Sequence, residues 1–218
     1  MSSNSKNSKK SNKSNRSNNS NNNSWLLEGT NNMLNRSRFA KNNLNVNFIY
    51  KFLQSIGTEV KYMIHGGKAA IYYINQMNQS NVNKSNLLLS QATNDYDIWV
   101  AKEDFDKFQA LLGAYVSKHA RHPLNTRVGE LAGHNFIMYG VKQQGKNLEN
   151  ILDVSIVPSS KFPRRYFDQA SGLWYAPKQY VVNNLVKTIR NYSNVNTPLK
   201  VSKRSARLRV LQSSNKSK

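Results

Sequence analysis

The run from Asp95 to Val100 constrains the fold of this chain more than any other segment. It starts with alternating polar and apolar residues, which is typical of a half-buried strand. A side-chain period of two places Asp95 and Asp97 on one face of that strand, and Ile98 and Val100 on the other. Two adjacent carboxylates repel each other unless a cation neutralises them, and Mg²⁺ or Mn²⁺ suits such oxygen ligands. The run therefore predicts either a metal-binding strand or a solvated strand edge.

Asp153 favours the metal-binding alternative. It stands between Leu152 and Val154 in an otherwise apolar run, where a carboxylate needs a partner. Three of only 11 acidic residues thus fall on predicted strands of a chain that carries 32 Lys and Arg. We interpret Asp95, Asp97 and Asp153 as candidate metal ligands.

The glycine pair Gly66-Gly67 joins a predicted strand to a predicted helix. Such a turn exposes backbone amides at a helix N-terminus, where they can hold an anion, although plain turn chemistry is the alternative. Lys68 follows at once and is either a phosphate contact or an exposed lysine. His65 could also contact a phosphate, although a local hydrogen bond is its expected role.

The composition sets the class of partner. A formal net charge of +21 over 218 residues creates a surface field that attracts nucleic acid, nucleotides or anionic membrane. No apolar run is long enough to span a bilayer or to form a signal peptide, so a soluble intracellular protein is expected. The absence of cysteine excludes disulfides and thiolate chemistry and fits a reducing compartment.

The N-terminal half begins with residues 1–24, a Ser, Asn and Lys-rich segment that predicts a disordered basic tail, followed by an ambiguous lead-in at 25–43. Apolar spacing then predicts a helix over Val46–Ile56 that ends at Gly57. A strand over Glu59–Ile64, a helix from the glycines through Ala69–Met77 and a loop over 78–86 complete this half.

The C-terminal half carries a predicted helix over Lys102–Lys118 and an antiparallel hairpin formed by His134–Val141 and Asn150–Val157, joined by 142–147. After Pro158 the pattern is mostly helical, and a tail follows at 214–218. These elements predict an α+β fold, a small mixed sheet flanked by helices, with a core at 44–158 and a short basic helical extension at 159–213.

The extension concentrates positive charge. About 13 Lys and Arg follow Asp153, against the single acidic residue Asp168. They form either a phosphate-tracking surface for nucleic acid or a solvated face, and the candidates are Lys187, Arg190, Lys200, Lys203, Arg204, Arg207 and Arg209. Three aromatic residues nearby could stack a base, although packing is the expected role: Trp174, Tyr175 and Tyr180.

The order of these motifs resembles the nucleotidyltransferase superfamily, which has a DNA polymerase β-like fold. The matching runs are Met63-Ile-His-Gly-Gly-Lys-Ala-Ala, Thr93-Asn-Asp-Tyr-Asp-Ile-Trp-Val and Ile151-Leu-Asp-Val-Ser-Ile-Val. The resemblance implies that Asp95 and Asp97 ligate a metal that bridges the triphosphate, and that Asp153 holds a second metal and serves as general base. It also implies that Gly66 and Gly67 contact the phosphates. The family often has Ser at the second turn position, where Gly67 offers only its amide.

More narrowly, these motifs together with Gly172-Leu-Trp-Tyr-Ala-Pro-Lys-Gln-Tyr resemble poly(A) polymerase catalytic subunits of large cytoplasmic DNA viruses. This resemblance implies Mg²⁺- or Mn²⁺-dependent transfer of a nucleoside monophosphate from an NTP, with ATP favoured, to an RNA 3′-hydroxyl. It also implies a viral protein acting in host cytoplasm or virion, with a possible partner subunit. About 65 residues follow Asp153, so two alternatives stay open. These are a catalytically silent nucleic-acid-binding or packaging subunit, and a minimal transferase that acts on a protein or small molecule.

Overall fold

The computed structural model describes residues 44–77, 86, 90, 93–131, 134–141, 148–192 and 198–213. The described residues do not include the predicted tails at 1–24 and 214–218 or the lead-in at 25–43. They also exclude the predicted connection at 142–147 and nearly all of the predicted loop at 78–86. Within the described part of the chain, the helices are α1 (Val46–Ile56), α2 (Gly66–Asn75), α3 (Phe105–His119), α4 (Lys178–Tyr192) and α5 (Pro198–Ser213).

The strands are β1 (Tyr62–His65), β2 (Tyr96–Ala101), β3 (Asn125–Leu131), β4 (His134–Val141), β5 (Glu149–Val157), β6 (Tyr166–Asp168) and β7 (Leu173–Tyr175). They form one sheet in the order β3-β4-β5-β2-β1-β7-β6. The pairs β2/β5 and β1/β7 are parallel, and the other neighbours are antiparallel. This arrangement confirms the predicted α+β class with a mixed sheet.

Helix α1 shows how local sequence sets an element. The Asn45 side chain accepts hydrogen bonds from the amides of Asn47 and Phe48 at 2.9 and 3.1 Å, which caps the first turn. Gly57, with a φ of 36°, ends the helix. The apolar residues between these ends lie on one face, and Phe52 packs edge-on against Phe108 of α3 at 5.5 Å between ring centroids.

Helices α2, α4 and α5 contact one another, and α2 also packs on β1 and β2. The buried core includes Ile64 of β1, Ile98 of β2, Val154 of β5 and Val210 of α5. The central strands and the C-terminal helices therefore share one core, in which α5 packs against α2 and α4. None of the helices in the described part of the chain is long and apolar enough to cross a bilayer.

The sequence-based prediction missed two parts of the sheet. Asn125–Leu131, for which no element was predicted, is edge strand β3, paired along its whole length with β4. The stretch after Pro158, predicted to be mostly helical, has helices α4 and α5 but also the hairpin β6–β7, and β7 pairs with β1 through Ile64 and Tyr175. Residues 166–175 therefore belong to the same sheet as the three aspartates. The hairpin turns at Gly172, which has a φ of 69°.

Candidate active site

Strand pairing brings the three aspartates together. In the parallel pair β2/β5, Asp97 lies directly opposite Asp153, so both side chains project from the same face. Asp95 precedes the first residue of β2 and lies two positions from Asp97. One carboxylate oxygen from each of the three residues lies within 4.8 Å of the others. Among the described residues, this is the group of acidic or imidazole side chains that could hold a metal ion.

The glycine turn lies against these carboxylates. In the antiparallel pair β1/β2, His65 lies opposite Asp97, so Gly66 comes directly beside the Asp97 side chain. Gly66 has a φ of 59°, and a Cβ at this position would overlap the Asp97 carboxylate. The Gly67 amide donates a hydrogen bond of 3.3 Å to Asp97 Oδ2. The close approach of α2 to Asp97 thus requires glycine at position 66, whereas a Cβ at Gly67 would lie 2.9 Å from the Thr93 hydroxyl and 3.0 Å from the Arg207 guanidinium.

Two polar residues orient the other carboxylates. The Thr93 hydroxyl donates to Asp95 Oδ1 at 3.1 Å. The Asn150 side-chain amide donates to Asp153 Oδ1. Because each contact engages one carboxylate oxygen, it restricts the rotation of the group. The sequence interpretation assigned neither residue a role, although both stand within three positions of an aspartate.

The carboxylates are costly to ionise in this environment. Burial raises the pKa of Asp95, and repulsion from Asp97 raises it further. Burial also raises the pKa of Asp97, against the stabilising effects of the Gly67 amide and of Arg207. For Asp153, burial raises the pKa to about 7, opposed by the Asn150 hydrogen bond. A divalent cation would remove this penalty, because its charge favours the ionised form of all three groups.

The donor set therefore fits a hard divalent cation. Three carboxylates converge within reach of a single ion, and oxygen is the ligand that Mg²⁺ and Mn²⁺ prefer. Asp95, Asp97 and Asp153 are the residues that would hold it.

The basic candidates divide into two groups. Lys187, Arg190, Lys200 and Arg209 are exposed, whereas Lys203 and Arg204 are partly buried and Arg207 is buried. Arg207 Nε donates to the Ser90 carbonyl at 2.9 Å. Burial lowers the pKa of Arg207 to about 10, while Asp97 and Asp95 act in the opposite direction. Burial also lowers the pKa of Lys203 to about 8, with Arg207 adding repulsion. The second group therefore lies beside the carboxylates.

Residues next to the turn have distinct environments. Burial lowers the pKa of Lys68, while the charge of Asp95 raises it. The Lys68 ammonium lies 5.1 Å from the centroid of the Tyr96 ring. Burial lowers the pKa of His65 to about 4, so its ring is neutral at physiological pH. That ring packs edge-on against Trp99 at 5.6 Å, which places His65 in a packing role.

The three aromatic candidates also pack within the protein. Tyr175 stacks on Tyr72 with ring centroids 4.0 Å apart. Tyr180 contacts Trp99 edge-on at 5.5 Å. The Arg165 guanidinium lies 3.9 Å from the centroid of Trp174, whose ring also meets Phe167. These contacts support the packing interpretation for Trp174, Tyr175 and Tyr180.

Comparison with known proteins addresses the fold. No protein-family model matches the chain. No curated protein sequence matches it significantly. Among solved structures, the Megavirus polyadenylate synthase aligns with a TM-score of 0.61 at 14% identity, over 97% of this chain and 40% of that protein. An antigenic nucleotidyltransferase-like protein from Paracoccidioides brasiliensis aligns with a TM-score of 0.41 at 11% identity, over 77% of each chain.

The chain thus spans 40% of the length of the polyadenylate synthase that it matches. The likeness extends over nearly all of this chain. At this identity it concerns the architecture and not the chemistry. In fold, the chain is an α+β protein whose architecture is similar to that of the Megavirus polyadenylate synthase.

Proposed function

We propose that this chain is a metal-dependent nucleotidyltransferase that transfers a nucleoside monophosphate from an NTP, with ATP as the favoured donor, to an RNA 3′-hydroxyl. The convergence of Asp95, Asp97 and Asp153 within 4.8 Å, beside a glycine turn at the start of a helix, carries this proposal. Neither feature alone indicates the activity. Together they place cation ligands next to backbone amides that suit a phosphate.

Each residue has a role in this proposal. Asp95 and Asp97 would hold a cation that neutralises the triphosphate, and Asp153 would complete the ligand set. Such cations lower the pKa of an attacking hydroxyl and stabilise charge on the entering and leaving oxygens. The Gly67 amide is already engaged by Asp97, so it orients this carboxylate as well as facing the phosphates. Lys68 stands one residue further along α2 and contributes positive charge.

The reaction balances without any further reactant. The RNA 3′-oxygen forms a bond with the α-phosphorus, and the bond from that phosphorus to the oxygen shared with the β-phosphorus breaks. Pyrophosphate leaves with that oxygen. The hydroxyl proton passes to Asp153, whose orientation is fixed by Asn150.

RNA as the acceptor is supported by charge and by fold. Lys187 and Arg190 on α4 and Lys200 and Arg209 on α5 are exposed, and they are suited to neutralising phosphates along a strand. The fold is shared with a polyadenylate synthase.

A second candidate is a nucleic-acid-binding subunit without catalytic activity. It is favoured by the position of Arg207, which lies near Asp95 and Asp97 and offsets their charge in the absence of a metal. The same exposed cations would then bind RNA, and the carboxylates would serve only the fold. A transferase that modifies a protein or small molecule remains a third candidate, because the site itself does not require a long RNA channel.

One assay separates these candidates. The protein is incubated with labelled ATP, Mn²⁺ or Mg²⁺ and an oligo(A) primer, beside the double variant Asp95→Asn, Asp97→Asn. We expect primer extension by the unmodified protein, and none by the variant or in the presence of EDTA. Equal extension by both proteins would refute the assigned site. Tight, salt-dependent RNA binding without primer extension would support the catalytically silent subunit. Labelling of a protein or small-molecule acceptor would support the third candidate.

A further inference from the structure

The inward-facing cations of α5 lie around the glycine turn. Lys203, Arg204 and Arg207 all interact electrostatically with Asp95 or Asp97, whereas Arg209 on the same helix is exposed. A surface that tracks RNA would present its charges to solvent. These three side chains are instead directed toward the candidate metal ligands, so their function differs from that of the exposed cations.

Arg207 is held in a defined position. Its Nε donates to the Ser90 carbonyl, and the residue is only 6% exposed. Its two terminal nitrogens lie 3.0 and 3.1 Å from the position that a Cβ on Gly67 would occupy. The guanidinium therefore borders the N-terminus of α2, where the helix dipole favours an anion.

Arg204 supplies an independent indication of a ligand. Its Nη1 is buried and meets no hydrogen-bond acceptor within the described part of the chain. A buried guanidinium donor without an acceptor is unfavourable, and such donors in native proteins are normally satisfied by protein, water or ligand. The charge of Asp97 acts on Arg204, so this donor is located at the same cluster.

The charges of the cluster leave room for an anion. The three carboxylates carry at most three negative charges. Four buried or partly buried cations interact with them, namely Lys68, Lys203, Arg204 and Arg207, and the exposed Lys200 adds to the positive field. The cationic charge of this partly desolvated region therefore exceeds that of the carboxylates. A triphosphate supplies several anionic oxygens at close spacing, and guanidinium groups bind such oxygens in pairs.

We infer that Lys203, Arg204 and Arg207 form a binding subsite for the triphosphate of the nucleotide, and that they are not part of an RNA-tracking surface. This inference rests on the proposed function, because it names the residues that hold the donor substrate of the same site. The anion would bind beside the N-terminus of α2 and the inward face of α5. The exposed cations of α4 and α5 are left to the acceptor.

Binding measurements on two matched variants test this assignment. Arg204→Gln removes an inward charge, and Arg209→Gln removes an exposed charge five residues further along the same helix. Calorimetry is performed in EDTA with inorganic tripolyphosphate, and separately with an oligo(A) RNA. We expect Arg204→Gln to weaken tripolyphosphate binding roughly 10-fold or more and to leave RNA binding within about twofold, as for the loss of one charge-assisted hydrogen bond. Arg209→Gln is expected to weaken RNA binding more than tripolyphosphate binding.

Several outcomes would overturn the inference. The unmodified protein could fail to bind tripolyphosphate, or Arg204→Gln could bind it as tightly as the unmodified protein does. Arg204→Gln could also weaken the binding of RNA alone. Thermal denaturation of each variant, with Arg204→Lys as a charge-retaining control, separates lost contacts from lost folding. If Arg204→Gln weakens tripolyphosphate binding while the unmodified protein extends no primer, the subsite stands and the proposed transfer fails. If primers are extended and Arg204→Gln leaves the KM for ATP unchanged, the transfer stands and the subsite fails.

Discussion

Replacement of Asp153 by Asn is expected to stabilise the metal-free protein. The substitution removes a charge that is costly to bury while keeping the size of the side chain and an oxygen for the Asn150 hydrogen bond. Because burial raises the pKa of Asp153 from 3.8 to about 7, the folded protein binds more protons than the unfolded chain between these values. Its contribution to the free energy of unfolding therefore falls as the pH rises through this window.

The pKa values set the size of the effect. At pH 7.5 a rise from 3.8 to about 7 corresponds to an upper bound of about 4 kcal/mol. Asp153 is partly exposed, so solvent screening reduces the expected gain to about 2 kcal/mol. For a chain of this size such a gain raises Tm by about 5 °C. At pH 5 Asp153 is protonated in the folded protein, and the free-energy cost is set by the distance of the pH from the unfolded pKa of 3.8, so the gain is a little under half as large.

The assay is thermal or urea denaturation in EDTA at pH 5 and pH 7.5. The quantity compared is the difference in the free energy of unfolding between Asp153→Asn and the unmodified protein, because the titration of His65 affects both proteins equally. Burial lowers the pKa of His65, so its contribution to stability increases with pH between about 4 and 6.5, opposite to that of Asp153. Asp106→Asn, at an exposed position on α3, should change stability by less than about 0.5 kcal/mol. A variant that is less stable than the unmodified protein, or equally stabilised at both pH values, would refute the reasoning.

Two further predictions concern the glycine turn and the metal. Gly66→Ala should abolish Mn²⁺ binding measured by calorimetry, because its Cβ would displace the Asp97 carboxylate. The control Gly113→Ala places its Cβ in open space on α3. It should bind Mn²⁺ normally and be about 0.5–1 kcal/mol more stable than the unmodified protein. Normal metal binding by Gly66→Ala would contradict this. Mn²⁺ should bind at least roughly 10-fold more tightly in the presence of tripolyphosphate, because five cationic side chains oppose the entry of a bare cation into the site. Unchanged affinity, once chelation in solution is subtracted, would argue against this electrostatic account.

Local periodicity was sufficient to predict several elements. Helix α1 has the bounds predicted from its apolar spacing and from Gly57, because one face is buried and the stop is local. The side-chain period of two in β2 placed Asp95 and Asp97 correctly on one face, and the apolar flanks of Asp153 correctly indicated a buried strand. A common site for the three carboxylates was expected from the resemblance in motif order and not from periodicity. The parallel pairing of β2 with β5, which brings them together, was not predicted.

Other features depend on contacts that are distant in sequence. Strand β3 has no apolar alternation, and Val128 is 69% exposed, so pairing with β4 alone defines it. The hairpin β6–β7 consists of two strands of three residues, too short for a periodic signal. The inward direction of Arg207 is set by the packing of α5 on α2 and α4, since helical spacing alone offers several faces for the same charges.

Strands β2 and β5 bring Asp97 and Asp153 together in a single register. If β5 shifted by one residue, Leu152 or Val154 would stand opposite Asp97, and Asp153 would point to the other face of the sheet. A chain that misaligns these strands during folding therefore loses its ability to capture a divalent cation. Cation capture would thus report correct strand alignment, and a metal added during refolding would enrich the correctly aligned population by mass action.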